Sequence, residues 1–210
     1  MNRKEIVARI KNEKIVAILR TKSQNDVPQL VKIVLETGVD VLEITSNTPG
    51  YLEEITNARA LYPNKIIGVG TAINVKIAEQ AIAAGAQFLV TPNTNVDVVA
   101  LSHKYDVPVL MGAMTPSEVC VASENGADVV KLFPAGAMGL EYFKALKAPL
   151  DHIEYFAVGG INPNNVGDWF KAGASGIGYG CVVNDAKTGK IDFEASKKLS
   201  EDFVNQAKSN

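Results

Sequence analysis

The chain has 210 residues, 47% of them hydrophobic, and a formal net charge of −2. That length suits one domain over 1–210 with a sizeable core, and the hydrophobic share excludes disorder. The charge gives no electrostatic case for nucleic acid or an anionic membrane, and no apolar run is long enough to span a bilayer.

The start, Met1-Asn2-Arg3-Lys4-Glu5, opens a short charged amphipathic stretch rather than a secretory apolar region. Residues 1–12 read as a helix covering one end of the fold. Strand-like apolar runs then recur at 15–20, 41–45, 66–70, 88–91, 108–112, 129–133, 155–159 and 176–180. Helical stretches such as 26–37, 78–84 and 164–172 lie between them, and 191–207 reads as the last helix. Gly38, Gly85, Gly126 and Gly173 each sit where a helix ends before a return to the sheet, as C-cap glycines do. Eight strands alternating with helices imply an α/β fold with a parallel sheet and right-handed crossovers. Eight is also the number that closes a (β/α)8 TIM barrel, although such barrels typically run to about 250 residues. An open doubly wound sheet is the alternative. Cys120 and Cys181 lie far apart with no Cys-x-x-Cys spacing, so two reduced thiols and a cytoplasmic location are expected.

Barrel chemistry sits where strands end at their C-terminal side. Polar residues gather there: Arg20, Glu43, Thr45, Asn47, Thr71, Thr91-Pro92-Asn93, Thr115 and Lys131. Strand alternation puts Val41, Glu43 and Thr45 on one face and Leu42 and Ile44 on the other. Val129, Lys131 and Phe133 likewise oppose Val130 and Leu132. With the apolar pairs facing the helices, Glu43 and Lys131 point into the barrel near its top. A buried Lys–Glu ion pair adds little net stability in many proteins, which makes it a weak reason for either charge. A desolvated lysine can instead attack a ketone, and a carboxyl in the same pocket can move protons.

A third element is Val158-Gly159-Gly160-Ile161-Asn162-Pro163. Two glycines follow strand seven, with Asn162 expected as N-cap and Pro163 as first helical residue. Gly178-Tyr179-Gly180-Cys181 ends strand eight. Barrel phosphate sites are frequently built from these two loops. The only histidines, His103 and His152, fall away from strand ends, so no metal site is expected.

In this order and spacing, Leu42-Glu43-Ile44-Thr45, Ile67-Gly68-Val69-Gly70-Thr71, Phe88-Leu89-Val90-Thr91-Pro92, Lys131-Leu132-Phe133-Pro134-Ala135 and Val158-Gly159-Gly160 resemble the KHG/KDPG aldolase family over nearly the whole chain. The resemblance implies a class I aldolase that needs no cofactor, because an iminium serves as the electron sink, that is usually a homotrimer and that acts on a small 2-keto acid. It implies Lys131 as the Schiff-base nucleophile and Glu43 as the acid/base. It also implies Thr71, Pro92 and Phe133 as pocket residues and Gly159 and Gly160 as phosphate binders, with Gly180 in the adjoining loop. Two positions depart from the family pattern. Many members carry an arginine four residues after the glutamate, where this chain has Asn47, a substitution similar to the phosphogalactonate aldolases. Carboxylate binding is therefore assigned to Arg20. In place of the usual serine after strand eight stands Cys181, a poor hydrogen-bond donor expected to weaken phosphate binding. The substrate readings are 2-keto-3-deoxy-6-phosphogluconate, with 4-hydroxy-2-oxoglutarate as an additional substrate, or the phosphogalactonate epimer. A non-catalytic phosphosugar-binding barrel is the reading from another class.

Overall fold

The computed structural model describes residues 1–209. Eight strands, β1 (Ile15–Leu19), β2 (Val41–Thr45), β3 (Ile66–Gly70), β4 (Leu89–Val90), β5 (Val109–Ala113), β6 (Val129–Leu132), β7 (Tyr155–Val158) and β8 (Gly176–Gly180), form a closed barrel in chain order. Every neighbouring pair is parallel, including β1 with β8. The helices are α1 (Arg3–Glu13), α2 (Val27–Glu36), α3 (Tyr51–Leu61), α4 (Val75–Ala83), α5 (Val96–Lys104), α6 (Pro116–Glu124), α7 (Ala135–Met138), α8 (Leu140–Lys147), α9 (Val166–Lys171) and α10 (Phe193–Ser209). The expected (β/α)8 barrel is therefore the observed fold, and closure excludes the open sheet. Gly38, Gly85, Gly126 and Gly173 all have positive φ after their helices, the backbone geometry that favours glycine at a helix end.

Two apolar layers follow from strand alternation. Outward residues such as Leu42, Ile44, Val130, Leu132 and Tyr155 pack against the helices. Inward residues Val41, Ile66, Phe88, Val129 and Phe156 fill the barrel together with Ile6 and Ile10 of α1. The first helix thus plugs the N-terminal end, as expected. A capping box between Asn2 and Glu5 starts it. Ion pairs from Arg3 to Asp128 (2.9 Å) and from Arg9 to Asp40 (3.1 Å) tie it to the loops entering β6 and β2.

The two interior rings fit because their neighbours have no side chain. A Cβ at Gly68 would overlap the Phe88 ring, and one at Gly176 would overlap the Phe156 ring. This large–small alternation fills the lower barrel and leaves its chemistry to the upper rim. Phe156→Ala should cost about 3–5 kcal/mol of unfolding free energy by denaturant titration, because the closed barrel cannot collapse onto the cavity.

Candidate active site

Glu43 on β2 and Lys131 on β6 both enter the barrel interior, at 2% and 5% exposure. With Val16, Ile18, Val90, Leu110, Phe156, Val158 and Gly178 they line a void of about 10 Å³, room for one water at most. Burial is the largest influence on each. It pushes the Glu43 carboxyl up, opposed by the charges of Lys131 and Arg20. It pushes the Lys131 amine down, aided by Arg20 and opposed by Glu43. Each group is thereby shifted toward its neutral form, and the two act on each other through space rather than through a direct hydrogen bond. A nucleophilic amine beside a carboxyl able to carry a proton is the chemistry of a carbonyl-condensing site.

The strand β6 ends at Leu132, one residue earlier than expected, but Phe133 still faces the site. The Lys131 ammonium nitrogen lies 5.0 Å from its ring centroid. Across the rim, Arg20 is exposed and donates to Thr71 Oγ1 at 3.2 Å. Thr71 holds a left-handed backbone (φ 60°). Its carbonyl is anchored by the Ser46 hydroxyl at 2.8 Å. This conformation, uncommon outside glycine, turns the Thr71 hydroxyl to Arg20. Asn47 is exposed and shares with Arg20, Lys22 and Lys190 the lining of an open cleft of about 890 Å³. That cleft, the larger of the two spaces, does not touch Glu43 or Lys131. Arg20 joins them, lining the cleft while acting on both buried groups. Pro92 follows β4, held by Gly112 N donating to Thr91 Oγ1 at 2.9 Å and by Thr91 Oγ1 donating to Asn93 O at 2.7 Å.

Gly159 and Gly160 both have positive φ, 91° and 77°. Their carbonyls are taken up by Gly136 N at 2.7 Å and Asn165 Nδ2 at 3.0 Å, which fixes the loop beside the site. Gly180 lies exposed at the end of β8, where a Cβ would meet nothing. Two expectations for this corner need correction. Asn162 does not cap a helix: its side chain closes a turn onto Asn164 N, and α9 starts after Asn165. Cys181 does not face an anion. Its thiol is buried in the outer layer, and both its sulfur (3.3 Å) and its N–H (3.0 Å) are directed to Ile18 O. Burial pushes that thiol up to about 12. Strand alternation explains the error, since Gly178 and Gly180 point inward and Cys181 falls on the opposite face.

Other polar residues at strand ends serve the scaffold. Thr115 and Glu118 form the capping box of α6. Thr45 Oγ1 lies 3.0 Å from Thr48 Oγ1, which also accepts from Thr21 N at 3.4 Å. That Thr-x-x-Thr clasp between the β1 and β2 loops was readable only as a spacing, and its partner Thr21 lies too far along the chain to be suspected. His103 pairs with Asp128 at the opposite end of the barrel, and His152 is exposed on the loop before β7. Among the described residues no group of three or more His, Cys, Asp or Glu side chains is arranged to hold a metal.

A closed (β/α)8 barrel with a buried amine and carboxyl near its C-terminal rim has the parts of a carbonyl-condensing enzyme. A match to the KDPG and KHG aldolase family spans residues 6–199. The chain is 36% identical over 168 residues to the 2-dehydro-3-deoxy-6-phosphogalactonate aldolase of Escherichia coli K12, covering 79% of this chain and 82% of that protein. It is 30% identical over 166 residues to the 2-dehydro-3-deoxy-phosphogluconate aldolase of Haemophilus influenzae, covering 79% and 78%. A solved structure described as native KDPGal superposes with a TM-score of 0.84 at 32% identity, covering 93% of this chain and 94% of that one. The chain belongs to the KDPG and KHG aldolase family, and the protein is an aldolase.

The mutual effects of the charges predict opposite mutational shifts. The Lys131 amine should titrate below the 10.5 of an ordinary lysine, followed through its Cε resonance by NMR. Arg20→Ala should raise that value, because the guanidinium disfavours the ammonium, and Glu43→Gln should lower it further. Stability carries the matching signs. The raised Glu43 contributes stability that is lost as pH rises through its folded value, and the lowered Lys131 contributes stability that is lost as pH falls through its own. Replacing both by apolar side chains, as in Lys131→Met with Glu43→Leu, should therefore raise the unfolding free energy at neutral pH by about 1–4 kcal/mol.

Proposed function

We propose that this protein is a class I, Schiff-base aldolase that cleaves 2-keto-3-deoxy-6-phosphogluconate to pyruvate and glyceraldehyde 3-phosphate. The observation that carries this reading is the burial of the Lys131 amine beside Glu43 in a nearly dry pocket. The neutral amine attacks the C2 ketone. Glu43 donates a proton to the carbinolamine hydroxyl, which leaves as water and gives an iminium. That iminium accepts the electron pair of the C3–C4 bond as the C4 hydroxyl loses its proton to Glu43 and the aldehyde departs. The enamine left behind is protonated at C3, and water hydrolyses the iminium to pyruvate and free Lys131. The iminium is the electron sink, so the scheme uses no metal or cofactor.

In this reading Arg20 binds the substrate carboxylate, with Thr71 fixing the guanidinium. Asn47, Pro92 and Phe133 line the pocket. The backbone of Gly159, Gly160 and Gly180 takes the phosphate. Cys181 supports the last strand from behind and is not a ligand. Shorter 2-keto acids such as 4-hydroxy-2-oxoglutarate, which gives pyruvate and glyoxylate, fit the same chemistry. A homotrimer and a cytoplasmic location are part of the proposal. Family resemblance supports the trimer, and two unpaired cysteines support the compartment.

A second reading is the galactonate epimer, favoured by Asn47 in place of arginine and by the 36% identity to a phosphogalactonate aldolase. The two substrates differ only at the C4 hydroxyl. Incubation with pyruvate and borohydride should place a stable adduct on Lys131, located by peptide mass. An adduct on Lys144 instead, or none, overturns the mechanism. Lys131→Ala should abolish cleavage while circular dichroism stays unchanged, which also separates an aldolase from a non-catalytic sugar-binding barrel. Comparing kcat/KM for the two C4 epimers decides between the substrates.

A further inference from the structure

The strand glycines of the barrel are absent side chains with different neighbours. At Gly68 and Gly176 the missing Cβ makes room for the rings of Phe88 and Phe156, and at Gly112 for the backbone of Pro92. Gly70 differs from all three. A Cβ there would overlap Oε1 of Glu43 and lie 2.9 Å from its Cγ. Gly70 is not among the glycines with positive φ, so its backbone would accept any residue, and space alone requires the glycine.

The backbone at this point has little freedom to retreat. Thr45 and Gly70 are register partners on β2 and β3. Gly70 O accepts from Ser46 N at 2.8 Å, and the next carbonyl, of Thr71, accepts from the Ser46 hydroxyl at 2.8 Å. Below the carboxyl the remaining space is the void of about 10 Å³ shared with Lys131. A methyl group on residue 70 must therefore move the carboxyl, not the strand.

We propose that Gly70 is a positioning residue for proton transfer: the space left by its missing side chain is the seat of the Glu43 carboxyl. The proposal rests on the reading of Glu43 as the acid/base. A well-placed acid/base group is worth about 10²–10⁴ in rate, so a carboxyl pushed out of its seat loses a large part of that. Gly70→Ala should lower kcat by about 100-fold or more. KM should hold near its original value, because the carboxylate and phosphate contacts are elsewhere.

The decisive test is a double-mutant stability cycle between residues 70 and 43. Truncation of Glu43 to alanine removes every atom that a methyl on residue 70 would meet, so Glu43→Ala is the partner variant. A Gly70→Ala enzyme with unchanged kcat overturns the proposal. The cycle reads the contact even where Gly70→Ala folds poorly. The drop in Tm caused by Gly70→Ala should largely vanish in a Glu43→Ala background, where the methyl has room. An equal drop in both backgrounds assigns Gly70 to the scaffold and overturns the role. Glu43→Gln separates the two levels of the argument. If it keeps full kcat, the acid/base reading falls and the proposal with it. If it is inactive while Gly70→Ala is normal, only the role of Gly70 falls.

Discussion

An amine buried as deeply as Lys131 loses most of its hydration, and that loss is the largest influence on its protonation. The surrounding architecture keeps it so. The barrel wall beside the amine is Val16, Ile18, Val90, Leu110, Phe156 and Val158, with no hydroxyl or amide to solvate an ammonium. From below, α1 closes the barrel with Ile6 and Ile10. Helix, ion pairs and interior rings at the N-terminal end thus act on the chemistry at the opposite end by excluding water from it. The fold's ordinary stability devices and its reactive group are connected through the dielectric, not through a chain of contacts.

Space is the second half of the same constraint. A barrel of eight short strands encloses too small a volume for a large inward side chain at every position. Here the sequence alternates rings with glycines, Phe88 against Gly68 and Phe156 against Gly176. The same device recurs at the rim with a different beneficiary, a carboxyl in place of a ring. Ring packing low in the barrel and the seating of the Glu43 carboxyl near its rim follow one rule applied at two heights. This is why a glycine in a strand, normally unfavourable there, recurs on inward-facing positions of β3 and β8.

Strand periodicity made most of this legible from sequence. It located eight strands, and on β2 and β6 it aimed Glu43 and Lys131 at each other's side of the barrel. The same rule carried one position further along β8 would have turned Cys181 outward. Motif likeness instead sets Cys181 in the place of a phosphate-binding serine, whereas the fold hides its thiol against Ile18 O. Asn162 misled for a related reason. Asn-Pro after two glycines fits a helix start, but the asparagine side chain is spent on a local turn, and the helix begins three residues later, after Asn165. Thr115 was polar at a strand end and nothing more than a cap. Local signals of polarity do not distinguish a group that caps a helix from one that meets a substrate. That distinction needs the direction of the side chain.

Arg20 carries the remaining logic of the site. It is exposed, yet its charge reaches both buried groups and opposes the ammonium of Lys131 while favouring the carboxylate of Glu43. A bound carboxylate would neutralise that guanidinium. Two opposing consequences follow for the amine: the bias of Arg20 against the ammonium relaxes, while the incoming substrate displaces water and deepens desolvation. An amine poised between these effects can be neutral when it attacks and can accept a proton when the imine is hydrolysed. In the proposed reaction the substrate carboxylate is bonded directly to the C2 carbonyl carbon, so a hydrated guanidinium at the rim and a desolvated amine inside the barrel would act on adjacent carbons. Charge recognition and nucleophilicity favour opposite environments, and Arg20, exposed at the cleft yet acting on Lys131, links the two.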